Sequence, residues 1–72
     1  MNSYIDPNEI LVSLKNNQKN VLADDKNKYD MLIENLEVSL AINSKRHIEV
    51  VIQQLISENI PLLEKYKIKY IK

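Results

Sequence analysis

The sequence predicts an all-α fold, a small bundle of three or four helices built on an antiparallel helical hairpin and open to completion by oligomerisation. Three observations carry this. Between Tyr29 and Glu58, apolar residues recur at three- and four-residue steps in two successive runs. Tyr29, Leu32, Ile33, Leu36 and Leu40 form the first, and Ile48, Val51, Ile52, Leu55 and Ile56 the second. At 3.6 residues per turn each set falls in one stripe about 100° wide. Glycine is absent, which removes the usual residue of the tight turns that an all-β fold needs. Turns that require positive φ are therefore expected at the nine Asn residues, the next most tolerant type.

Taken in order, residues 1–5 form a short lead-in. Asp6-Pro7-Asn8-Glu9 then signals a helix start: Asp6 caps free amides, Pro7 suits the first helical position, and Glu9 stands where a capping box wants an acid. Ile10, Leu11, Leu14, Val21 and Leu22 share a face that Asn17 and Gln18 interrupt, so the first helix is expected over about 7–22, with an end near residue 19 as the alternative because Asn16, Asn17 and Asn20 are weak helix formers. Asp24-Asp25 suits the positive end of a second helix running over about 25–43. The third is expected over 44–59, closing before Pro61, because the residue preceding proline is pushed out of the helical region.

Asn43-Ser44 admits two readings. Asn43 suits a left-handed helix end and Ser44 a new cap, whereas Lys45 and Arg46 oppose the dipole of a helix starting there. The turn is preferred, because one helix through the junction would far exceed the usual 11–12 residues. The tail is left open between two patterns. Leu62, Leu63, Tyr66 and Tyr70 share a helical face, while Tyr66, Ile68 and Tyr70 alternate with Lys67 and Lys69 as a strand does. A short helix over 61–67 or longer, followed by an extended or disordered end at 68–72, fits both.

The 72 residues make one domain, and a chain of this size buries only about 60% of its unfolded surface. It has no Cys and a single His, so neither a disulfide nor a structural zinc site can reinforce the core. No cofactor is expected. Extra stability then falls to a homodimer, a higher homo-oligomer or another protein. Ten basic residues balance ten acidic ones, which gives no global attraction to nucleic acid or an anionic membrane. Unbroken apolar runs are short, so no membrane span or signal peptide is expected, and the absence of Cys fits the cytoplasm. The richness in Asn, Ile and Lys is what an AT-rich coding genome produces, such as that of a low-GC bacterium or its phages.

Catalytic motifs are missing. His47 lacks an orienting partner and a recognisable nucleophile, and reads as an exposed helix residue. Asp24, Asp25 and Asp30 do not follow the spacing of a calcium loop. Two surfaces stand out instead. Met31, Val38 and Ile42 lie opposite the main stripe of the second helix, and Val12 and Val50 are similar outliers. A helix apolar on two sides is either sandwiched within the bundle or presents a binding patch. The expected function is non-enzymatic: an interaction module of the regulator, inhibitor, antitoxin or immunity type. Its anchors for a partner protein would be Met31, Val38, Ile42, Tyr66 and Tyr70. The rival is nucleic-acid binding through Lys45, Arg46, Lys65, Lys67, Lys69 and Lys72, with phosphates as the target. A single Arg weakens that reading, since bidentate base contacts favour Arg.

Overall fold

The first helix begins where Asp6-Pro7 places it. In the computed structural model, which describes residues 4–42 and 45–71, α1 spans Pro7–Asn17. Asp6 accepts the Asn8 amide at 2.8 Å, satisfying one of the free donors at the helix start. The helix stops at Asn17, short of residue 22 and two residues before the alternative end near 19. Asn17 turns its side-chain amide back onto the Ser13 carbonyl at 2.9 Å, and the chain continues as a 3-10 turn, Gln18–Asn20, into extended Val21. Competition of Asn side chains with the backbone is the reason such residues end helices. One consequence is that Leu22, expected on the buried face, is exposed.

Helix α2 spans Lys26–Ile42 and buries Tyr29, Leu32, Ile33, Leu36 and Ser39. Helix α3 spans Lys45–Glu58 and buries Ile52 and Ile56, with Val51 and Leu55 half-buried. The two pack on each other. Lys28 and Met31 from the start of α2 share a groove with Leu55 and Glu58 from the end of α3, so the pair is antiparallel. A single continuous helix could not bring these residues together. The junction Asn43-Ser44 itself lies outside the described residues, as do Lys72 and the side chains of Lys45, His47 and Ile48.

The break expected at Asn59-Ile60-Pro61 falls on Asn59. Its side-chain amide donates to the Leu55 carbonyl at 2.7 Å, and its own carbonyl accepts the Leu63 amide at 2.9 Å. One residue thus closes α3 and opens α4, Ile60–Lys65, with Pro61 in the first turn. The end of α4 is closed by a pair of backbone bonds, Lys67 N–H to Glu64 at 3.1 Å and Ile68 N–H to Leu63 at 2.8 Å. This is the Schellman arrangement, and it needs a left-handed residue just past the cap. Lys67 takes that place at φ 56° and is the one non-Gly residue with positive φ among those described. The expectation that Asn would serve such turns is therefore corrected: position relative to the Leu63–Ile68 contact, not residue type, decides. Both of those side chains are buried, as the motif favours.

Beyond the turn the chain is extended, and Ile71 forms an antiparallel bridge with Tyr4. The Ile5 amide donates to the Tyr70 carbonyl at 3.1 Å. The lead-in and the tail thus close on each other, and Ile5 and Ile68 join Ile10, Leu14, Tyr29, Leu36, Ile56 and Leu63 in one core. Replacing Lys67 with Gly should raise stability by roughly 0.5–1 kcal/mol, because Gly carries no Cβ penalty at left-handed φ. Thermal melts check this, with an expected rise of about 4 °C for a domain of this size.

Candidate functional site

Two groups of side chains remain once the core is accounted for: a polar knot between helices and an uncovered apolar line on α2. The knot is built on Tyr29, which is completely buried. Its hydroxyl donates to the Leu14 carbonyl, a group left free because the Gln18 amide goes to Lys15. The Tyr66 ring meets Tyr29 edge-on, with centroids 5.5 Å apart and planes at 80°, a favoured aromatic geometry. The Tyr66 hydroxyl donates to Asp25 at 2.7 Å and accepts the Leu22 amide at 3.0 Å. Lys65 adds a second bond to Asp25 at 2.7 Å. The start of α2, the connector before it and the end of α4 are thereby tied together.

These contacts shift protonation. The Lys65 ammonium, then the Tyr66 hydroxyl, hold the Asp25 carboxyl below its ordinary value of 3.8. The bond to Asp25 raises Lys65 above 10.5, and burial pushes the Tyr29 phenol up to about 12. A lowered carboxyl contributes stability that is present above pH 3.8 and lost as the pH falls through its folded value. Raised groups contribute stability that is complete below their unfolded values and lost as the pH rises through the folded ones. For Tyr29 that window runs from pH 10 to about 12. Urea midpoints measured against pH should therefore fall at both ends, and Asp25→Asn should shrink the acid arm while Tyr29→Phe shrinks the alkaline one.

The apolar line is the outer face of α2. Met31 is 60% exposed, Val38 54% and Ile42 52%. The first and last helices do not cover these residues. Lys28 and Asn35 share the face and are also exposed; a search for apolar residues alone passes over both. Beside Met31 the face dips into a groove of about 180 Å³ between α2 and α3, walled by Leu32, Leu55, Glu58 and Asn59. Val12, Leu22 and Val50 are exposed too, but each comes from a separate segment, as scattered surface hydrophobics commonly do. A wider groove, about 470 Å³, runs between α1 and the tail; its apolar content is the edge of the core at Ile5 and the lone Val12.

The remaining expected site residues are distributed as follows. Tyr66 is held in the knot, and Tyr70 is half-buried against the core. Lys65 is engaged by Asp25. Lys67 and Lys69 are exposed near the tail, and Arg46 is exposed in the first turn of α3. Helix α4 follows the other end of α3, so at 1.5 Å per residue Arg46 stands about 18 Å along the axis from Glu58. Among the described residues, no group of three or more His, Cys, Asp or Glu is placed to hold a metal ion. No helix there is long and apolar enough to cross a membrane. Compared with family models, curated proteins and solved structures, the chain gives no match.

Proposed function

We propose that the chain is a non-enzymatic cytoplasmic interaction module, of the regulator, inhibitor, antitoxin or immunity type, that docks the outer face of α2 on a partner protein. The observation that supports it is the line Met31, Val38 and Ile42, each more than half exposed on a helix whose opposite side supplies the core. Met31 and Val38 stand two turns apart on this face with Asn35 between them, and Ile42 follows one turn further on; three large apolar residues on one face point to an interaction site, unlike single exposed hydrophobics. Met and branched aliphatic side chains also adapt well to an apolar partner surface.

Nucleic-acid binding draws support from exposed Lys67 and Lys69. It is weakened by the engagement of Lys65 with Asp25 and by the distance of Arg46 from the tail. Photo-cross-linking in the cell separates the two. A cross-linking residue at position 31 or 38 should give discrete protein adducts, while the same residue at Val50 gives none. Absence of adducts at 31 and 38, together with a salt-sensitive gel shift lost on replacing Lys67 and Lys69, would overturn the proposal in favour of nucleic acid.

A further inference from the structure

The spacing along the outer face of α2 says more than that it is apolar. Lys28, Met31, Asn35, Val38 and Ile42 are separated by three, four, three and four residues. That is the seam of a coiled coil over two heptads, with Lys28, Asn35 and Ile42 at a and Met31 and Val38 at d. All five are exposed. The position following each d residue is Leu32 or Ser39, both buried, so the chain's own fold closes one flank of the seam. The other flank, at Glu34 and Ala41, is open. Among the described residues, nothing packs on this pattern.

We infer that the occupant of the seam is the α2 helix of a second copy of this chain, packed parallel and in register. The inference rests on the docking role proposed above and names its partner. Two features select a parallel copy. In a parallel pair a faces a, so Asn35 meets its own counterpart and the two amides satisfy each other. In an antiparallel pair a faces d, which sets the Asn35 amide against Met31 or Val38 and leaves it without a partner. Charge points the same way. Lys28 and Glu58 line one end of the groove between α2 and α3, and among the described residues neither is in an ion pair. In register the two Lys28 side chains meet each other at a, and Glu58 at the same end of each copy's groove supplies the counter-charge, so two lysines face two glutamates. An antiparallel copy would carry its Lys28 to the end where Arg46 lies. The formal charge of the chain is zero, so two copies meet without net repulsion.

The chain contains no Cys, which makes the register directly readable. Met31→Cys in the full chain, under mild oxidation, should yield a 31–31 disulfide dimer, and Val38→Cys a 38–38 dimer, while Val50→Cys stays monomeric. The unmodified chain should sediment as a concentration-dependent dimer, and Val38→Asp should sediment as a folded monomer of 8.4 kDa. Cross-linking only in a mixture of the Asn35→Cys and Val38→Cys variants, an a position with a d position, would overturn the parallel arrangement. A wild-type monomer persisting at about 1 mM would overturn self-association altogether. If positions 31 and 38 still capture a different protein in the cell, the docking function stands and only the identity of the occupant fails. If they capture nothing, both fail.

Discussion

Tyr29→Ala is expected to leave the chain largely unfolded at 25 °C. Tyr29 is fully buried, its ring packs against Tyr66, and its hydroxyl satisfies the Leu14 carbonyl at the end of α1. Truncating a buried aromatic costs about 3–5 kcal/mol, and a buried carbonyl left without its donor adds about 1–3 kcal/mol. A domain of this length holds only roughly 4–11 kcal/mol in total, so the loss is most or all of it. Tyr29→Phe separates the two contributions. It keeps the ring, so its cost should be that of the carbonyl alone, about 1–3 kcal/mol. Urea unfolding followed by circular dichroism measures both. A Tyr29→Phe chain as unstable as Tyr29→Ala would mean that the hydroxyl, not the ring, holds α1 to α2.

The second large effect is expected at Leu36, which is fully buried midway along the inner face of α2. Leu36→Ala should cost about 2–5 kcal/mol, the transfer and cavity loss of a buried leucine. Melting should fall by roughly 10–25 °C on that basis. The contrast with Val38, two residues on and 54% exposed, is the point: Val38→Ala should change stability by less than about 0.5 kcal/mol in the dilute chain. The two positions sit two residues apart on one helix, and the face each occupies is the main source of the contrast.

Much of this arrangement was legible in the sequence wherever the cause is local. Asp6-Pro7 starts a helix through bonds that reach only two residues, and the apolar periods of α2 and α3 are backbone geometry written in residue type. The outlying Met31, Val38 and Ile42 could be picked out for the same reason. Features that depend on distant pairing were not legible. Tyr66 looked like a candidate anchor, yet its hydroxyl bonds Asp25, 41 residues away. The tail's choice of an extended form follows from its bridge to Tyr4, and Lys67 takes positive φ because the chain must turn to bury Ile68. The early end of α1 is an intermediate case. Asn16 and Asn17 weaken it locally, but Tyr29 secures the freed Leu14 carbonyl from another helix.

Helix α2 carries two apolar faces, an inner one that supplies the core and an exposed outer one for which docking is proposed. The measurement that tests this most directly is the double variant Met31→Asp/Val38→Asp, assayed for unfolding in dilute solution and, with a photo-cross-linker at Ile42, for capture in the cell. Unchanged unfolding to within about 0.5 kcal/mol together with loss of the adduct is the expected result. Collapse of the fold, or an adduct that survives both charges, would contradict it.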